Sequence, residues 1–286
     1  MKIIKINRQG IASNTFLSPL LQLAKPPSEL FIKGNIPTSR PPVVAIIGTR
    51  RPSPYGREVT QTLAADLARS GVVVVSGLAS GIDTVAHTAA LDAGGLTIAV
   101  LAQGLHSIYP ASNKGLAERI VKSGALITEY DSGEEAMKYH FLARNRIVSG
   151  LADAIIVTEA ADRSGTFSTV AYALEQNKQV FAVPGPITSL LSVGPNRLLQ
   201  QGAHVALSAN DILNVIAPEL IVGQRKFVFG NTPLEARIIE LMQLGIRSGD
   251  ELLVKSEADA SDFLQALTMM ELNGTVRALG GNRWTI

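Results

Sequence analysis

Val43-Val44-Ala45-Ile46-Ile47-Gly48-Thr49-Arg50-Arg51-Pro52 is the stretch from which the fold can be read. Its first five residues are all apolar, and four of them are β-branched. A strand with one face in water alternates apolar and polar residues, so an unbroken run predicts a strand buried on both faces. Gly48, two arginines and Pro52 then end the strand and open a loop.

Outward from this stretch the same rhythm repeats. Short apolar runs fall at residues 43–47, 72–75, 97–101, 125–128, 154–157, 180–183 and 204–207. Helix-like stretches at 55–69, 82–93, 113–122, 166–176 and 210–215 lie between them. Strand and helix in alternation, joined by right-handed crossovers, predict an α/β fold with a doubly wound, mostly parallel Rossmann-like sheet. Such sheets bind ligands at the carboxyl ends of their strands, so the loops after the strands carry the functional reading.

Residues 1–42 read as an irregular lead-in, punctuated by Pro26, Pro27, Gly34, Pro37, Pro41 and Pro42, with one short strand at Leu30-Phe31-Ile32. The Rossmann-like domain is expected over 43–218. A linker over 219–232 follows, loosened by Gly223, Gln224, Arg225, Lys226, Gly230 and Asn231. Helical periodicity at 233–243 and 259–272, a short helix at 249–255 and a hairpin turning at Gly280-Gly281-Asn282 predict a small winged-helix-like domain over 233–286.

The chain has 286 residues, 46% of them hydrophobic and 17% charged, which describes a core-rich globule and excludes a disordered protein. Cysteine is absent, excluding disulfides and thiolate chemistry. Lys5, Arg8, Gln9 and Asn14 break the apolar character of residues 1–21, and no apolar run reaches the roughly 18 residues of a membrane span. A cytoplasmic protein without membrane contact is expected. The net charge of +2 is uneven: 21 Lys and Arg face 16 Asp and Glu in residues 1–230, against 5 and 8 in residues 231–286.

In the first loop, the dinucleotide fingerprint G-x-G-x-x-G is missing, and so is an acidic residue ending the second strand. No nucleotide cofactor is expected. Arg50 and Arg51 are either a solvated pair or a phosphate clamp beside Gly48 and Thr49, and their place after a strand favours the clamp. The second loop is Ser76-Gly77-Leu78-Ala79-Ser80-Gly81-Ile82-Asp83. Gly77 and Gly81 allow a tight turn, and Ser80 with Asp83 has the spacing of a capping box. The turn is open to two readings, a phosphate cradle of free backbone N–H groups or plain turn geometry. A third helix start, Arg163-Ser164-Gly165-Thr166, has Ser164 as candidate N-cap and is expected to bind an anion.

Residues 141–150 contain Arg144-Asn145-Arg146. In a strand the two arginines point the same way; in a helix they diverge by roughly 200°. Lys114 follows Ile108-Tyr109-Pro110. Arg50, Arg51, Lys114, Arg144, Arg146 and Arg163 all fall in candidate post-strand segments and are expected to converge on one binding edge. Tyr109 and Phe141 are the nearest aromatics for base stacking.

Catalytic patterns are poor. His87, His106, His140 and His204 have no metal-binding spacing, so no metal is expected. Within Gly77-Leu78-Ala79-Ser80-Gly81 the serine stands fourth, where it would cap a helix rather than form a nucleophile elbow. A Walker A motif is absent.

The same segments resemble, closely and in order, the DNA-processing protein A (DprA/Smf) family. Gly48-Thr49-Arg50 resembles its G-S/T-R loop, and Ser76 to Asp83 with His87 its S-G-x-A-x-G-I-D…H segment. Ile108 to Asn113 matches I-Y-P-x-x-N. Phe141 to Leu151 is similar to F-P-x-R-N-R-I-I-A-G-L, with Leu142, Val148 and Ser149 as departures. Ser164 to Val170 is similar to S-G-S/T-L-x-T-A, with Phe167 and Val170 as departures. Val180 to Gly185 matches V-F-A-V-P-G, and Ser192 to Ala203 matches S-x-G-x-N-x-L-I-x-x-G-A with Leu199 for isoleucine. The match spans about residues 24–216. It implies a Rossmann-like domain that binds single-stranded DNA, dimerises, and helps load the RecA recombinase during natural transformation, with no catalytic activity. The helical domain that many relatives carry ahead of the sheet is not expected here.

Two other readings compete. A nucleotide-processing hydrolase on a related sheet carries P-G-G-x-G-T-x-x-E, but Ser168 and Thr169 stand where its acid would fall. A nucleotide-sensing module is the other.

Overall fold

The computed structural model describes residues 2–221, 232–273 and 275–285. The chain divides into two compact units, residues 1–221 and 222–286.

In the first unit the elements run β1 (Ile3–Asn7), α1 (Arg8–Ser13), β2 (Glu29–Gly34), β3 (Val43–Ile47), α2 (Pro54–Arg69), β4 (Val73–Ser76), α3 (Ile82–Asp92), β5 (Thr97–Val100), α4 (Lys114–Ser123), β6 (Ala125–Thr128), α5 (Lys138–Leu151), β7 (Ala154–Val157), α6 (Thr166–Glu175), β8 (Gln179–Ala182), α7 (Val193–Gln200), β9 (His204–Val205) and α8 (Ala209–Ile216). They build one sheet in the order β1-β2-β6-β5-β4-β3-β7-β8-β9. Seven strands, from β6 to β9, are parallel. β2 joins β6 antiparallel, and β1 joins β2 antiparallel.

All five residues of β3 are buried, as an unbroken apolar run requires. Val43, Ala45 and Ile47 pack on one face of the sheet against Ile147, Val148 and Leu151 of α5, Val170 and Ala173 of α6 and Leu198 of α7. Val44 and Ile46 pack on the other, against Leu63 and Leu67 of α2, Ile82 and Ala86 of α3 and Ile212 and Leu213 of α8.

Two expectations are corrected, and one helix is added. Residues 3–34 are not an irregular lead-in, since β1 and β2 extend the sheet and Ile11, Phe16, Leu17 and Leu20 are fully buried against it. The edge strand β1 shows much of itself to solvent, with Lys5 paired to Glu29 at 2.8 Å, so it lacks the continuous apolar run of an inner strand. Helix α7 is the added one, and Gly194 and Pro195 in its first turn hide it in the sequence. β9 stops at Val205, because the N–H groups of Leu207 and Ser208 donate to the Asp211 carboxylate that opens α8.

Strand β3 sits between β4 and β7, where the winding of the sheet reverses. Loops leaving the carboxyl ends of β3 and β7 diverge there and leave a crevice.

In the second unit α9 (Pro233–Gln243), α10 (Gly249–Ser256) and α11 (Ala260–Leu272) precede a hairpin of β10 (Arg277–Gly280) and β11 (Arg283–Thr285). Ile238, Met242, Leu252, Phe263 and Leu267 form its core. Gly280, Gly281 and Asn282 all take positive φ at the turn. Most of the segment read as a linker, residues 222–231, lies outside the described residues; Thr232 already caps α9, accepting from the Glu235 N–H.

Candidate nucleic-acid interface

A cavity of about 590 Å³ occupies the crevice at the reversal point. Gly48, Thr49 and Arg50 line it from the loop after β3, Gly77 and Ala79 from the loop after β4, and Ser164, Gly165 and Thr166 from the start of α6. Helix α5 supplies Lys138, Phe141, Leu142, Arg144, Asn145 and Val148. The alternative left open for Arg144 and Arg146 is thereby settled as helix, and residues 138, 141, 142, 145 and 148 form one helical face turned to the cleft.

Backbone N–H groups contribute less than the glycine-rich sequence suggests. Those of Gly77 and Ala79 donate to the Asp83 carboxylate at 3.0 and 3.3 Å. The Ser80–Asp83 capping box does not form: Gly81 is the N-cap, and Asp83 reaches back over the turn instead. The Thr49 N–H donates to the Glu159 carbonyl at 2.7 Å. At the start of α6, Ser164 Oγ accepts from the Thr166 N–H at 3.2 Å, while the N–H groups of Phe167 and Ser168 donate to the carbonyls of Ser164 and Gly165. Much of the backbone N–H capacity beside the cleft is therefore taken up within the protein.

Arg144 is buried, and its Nη1 donates to the carbonyls of Gly77, at 2.6 Å, and Val100. Its Nε donates to Asn145 Oδ1 at 3.2 Å, and Asn145 in turn donates to Ser168 Oγ at 2.8 Å. Arg144 thus ties the strand ends β4 and β5 to α5 and places positive charge on the cleft floor. Burial pulls its pKa down, while Asp83 holds it up. Burial also pushes the Asp83 carboxyl up, against the pull of Arg144 and the turn N–H groups. Gly77 has no room for a side chain, since a Cβ there would fall on the Arg144 guanidinium.

The rim combines charge with aromatic surface. The Arg50 guanidinium stands over the Phe141 ring, 5.5 Å from its centroid, and Tyr109 meets Phe141 edge-on with centroids 5.7 Å apart. Tyr109 is 54% exposed. Asn113 holds that loop, donating to the Leu78 carbonyl and to Thr84 Oγ1, both at 2.9 Å. Lys138, unremarked in the sequence, opens α5 in a first turn that has no acidic residue. A cation there opposes the helix dipole, so its presence calls for a reason beyond helix stability. Its position three residues before Phe141 would have revealed it had the helix been assigned.

Other candidates do not reach the cleft. Ser76 is fully buried, its hydroxyl donating to the Ile46 carbonyl at 2.7 Å. Ser80 does not line the cavity, and Gly81, at φ +86°, packs on the backbone of Thr49 and Arg50. Arg51 and Arg163 are exposed outside the lining, and Lys114 lines a separate groove with Lys33, His106 and Lys122. Arg146 diverges from Arg144 around the helix and pairs with Glu129 at 2.6 Å. The expected convergence of six cations is reduced to Arg50 and Arg144, joined by Lys138.

A sequence profile of the family described as DNA recombination-mediator protein A matches residues 9–217. The chain belongs to that family. A second profile, the DprA winged helix domain, matches residues 229–282. The chain is 42% identical over 208 residues to DNA processing protein DprA of Bacillus subtilis, covering 72% of this chain and 70% of that one. It is 43% identical over 194 residues to DNA processing protein DprA of Streptococcus pneumoniae, covering 68% of each. The solved DprA structure from S. pneumoniae superposes with a TM-score of 0.69 at 38% identity, covering 76% of this chain and 75% of that one. DNA processing protein A from Helicobacter pylori, solved to describe its single-stranded DNA binding mode, superposes with a TM-score of 0.65 at 33% identity, covering 75% and 95%. Family membership makes this chain a recombination mediator in DNA processing.

Proposed function

We propose that the cleft between the loops after β3 and β7 binds single-stranded DNA, and that the protein acts without catalysis, as a homodimer that hands the strand to the RecA recombinase in the cytoplasm. The observation that carries this reading is the rim of Arg50, Phe141 and Tyr109. It sets a cation for phosphate beside aromatic faces for unpaired bases, the combination that single strands engage and that stacked duplex bases do not offer. Lys138 and Arg144 add charge along the same cleft. The H. pylori relative, with its described single-stranded DNA binding mode, supports the same assignment.

The non-catalytic reading draws support from the lining. Asp83 is the one carboxylate among the described lining residues, and it is committed to the N–H groups of Gly77 and Ala79. Ser168 donates to the Gly165 carbonyl and accepts from Asn145, which gives it the role of a brace. No helix among the described residues is long and apolar enough to cross a membrane.

The test is a titration of labelled single- and double-stranded oligonucleotides of one length, with random and homopolymer sequences, across a salt series. Tighter binding of the single strand with little sequence selectivity is expected. Equal or tighter binding of the duplex would refute the assignment.

A further inference from the structure

A second cavity, of about 410 Å³, opens on the other side of α5, between residues 19–25 and the turn from α6 to β8. It lies within the roughly 300–1,000 Å³ usual for small-molecule sites. Among the described residues three cations line it, Lys25, Arg146 and Lys178, against one carboxylate, Glu175. The decisive detail is a pair of half-satisfied side chains. Arg146 Nη2 donates to Glu129, but its Nη1 is buried with no acceptor among the described residues. Gln176 Nε2 donates to the Arg146 carbonyl at 3.3 Å, but its Oε1 is buried with no donor among the described residues. Buried polar atoms without partners cost free energy, and here a charged donor and a neutral acceptor belong to two residues that line one cavity.

A ligand answering both must accept from a guanidinium and donate to an amide oxygen. A phosphate monoester does so, with charged oxygens and, in its monoanion, a P–OH; its second pKa is about 6. Sulfate has no proton to give, and neither does the phosphodiester of a strand interior. We infer that this cavity is a site for a terminal phosphate monoester, supplied by a free mononucleotide or by the phosphorylated end of a DNA strand, with Arg146 and Lys178 as its cations and Gln176 reading the P–OH. Burial pulls the Lys178 pKa down, and an anion beside it would favour its charged form. The inference is independent of the cleft, whose lining residues on α5 occupy a different face.

The experiment follows thermal stabilisation and calorimetric binding of the full chain near pH 6 at constant ionic strength. The probes are inorganic phosphate, thymidine 5′-monophosphate, sulfate, and oligothymidylates carrying a 5′-phosphate or a 5′-hydroxyl. Saturable binding of phosphate and of the monophosphate is expected, with sulfate at least about tenfold weaker. Lys178→Gln should weaken phosphate about tenfold, and Gln176→Glu should abolish it. Both leave the Arg146–Glu129 pair in place. Competition by the 5′-phosphorylated but not the 5′-hydroxyl oligonucleotide assigns the site to strand ends; competition by the mononucleotide alone assigns it to free nucleotide. Equal affinity for sulfate and phosphate, or binding that survives both Lys178→Gln and Gln176→Glu, overturns the inference, and so does the absence of saturable phosphate binding.

Discussion

The guanidinium carbon of Arg50 lies 5.5 Å from the centroid of the Phe141 ring. The contact fixes the direction of an otherwise exposed arginine and leaves Phe141 flanked by Arg50 and Tyr109. Each residue should therefore contribute separately to strand binding. Phe141→Ala removes a stacking face worth about 1–3 kcal/mol per base, or roughly 5- to 150-fold in affinity. Arg50→Glu should weaken binding at least about tenfold with the folded state intact, checked by fluorescence titration beside circular dichroism. Wild-type affinity in both variants would remove the rim from the binding site.

Salt dependence counts the phosphates. Among the described residues, Arg50, Lys138 and Arg144 are the three cations lining the cleft. At about −0.7 per phosphate for single strands, three contacts give a slope of log K against log salt near −2. A slope near −4 would bring in further cations, such as Lys114 in its separate groove. An affinity indifferent to salt would rule out phosphate clamping altogether.

Gly77→Ala should destabilise the first unit. Its new methyl group would collide with the Arg144 guanidinium, which cannot yield without losing its bonds to the carbonyls of Gly77 and Val100. Overpacking of this kind costs about 1–3 kcal/mol. Urea denaturation measures it; an unchanged midpoint would show that Arg144 is free to move.

His87 makes the fold sensitive to acid. It is fully buried, and its Nδ1 lies 2.7 Å from Thr97 Oγ1. The Thr97 hydroxyl already donates to the Val74 carbonyl, so Nδ1 carries the proton and Nε2 is left without a partner among the described residues. Burial, with help from Arg144, lowers the His87 pKa from 6.5 to about 3. The unfolded chain therefore binds a proton below pH 6.5 that the folded chain refuses, and stability falls as pH drops from 6.5 towards about 3. The loss at pH 5 is on the order of 2 kcal/mol. His87→Gln should flatten the stability–pH curve over that window; an unaltered curve would assign the acid sensitivity to another group.

The winged-helix unit is expected to contribute little to single-strand binding. Helix α11 with its cap carries Asp259, Asp262 and Glu271 and no Lys or Arg, the wrong charge for a recognition helix in the major groove. Leu264, Met269 and Leu272 are exposed on it, which suits contact with protein better than contact with phosphate. Truncation after residue 231 should keep single-strand affinity within about threefold, or roughly 0.65 kcal/mol. Both forms would be compared in one salt series after checking monodispersity. Loss of most of the binding, or tight duplex binding by the full chain through this unit, would show the acidic-helix argument to be mistaken.

The parallel sheet was determined by local chemistry. Unbroken apolar runs such as Val43 to Ile47 can be satisfied only between two helical layers, so they announce the fold without any knowledge of partners. The glycine-rich turns and Arg50 were legible for the same reason, because strand ends and tight turns leave marks in the chain itself. What the tertiary structure alone decided is where long side chains go. Arg144 and Arg146 are two residues apart, yet one forms the cleft floor and the other pairs with Glu129 in a different cavity, because helix α5 turns them apart. Gly77 and Ala79 offer N–H groups that look free in sequence, and Asp83 takes them because α3 folds back over the turn. Lys138 becomes a cleft cation only when Phe141 and Asn145 share its helical face. Local sequence sets backbone preference, whereas the convergence of charges depends on which elements the hydrophobic core brings side by side.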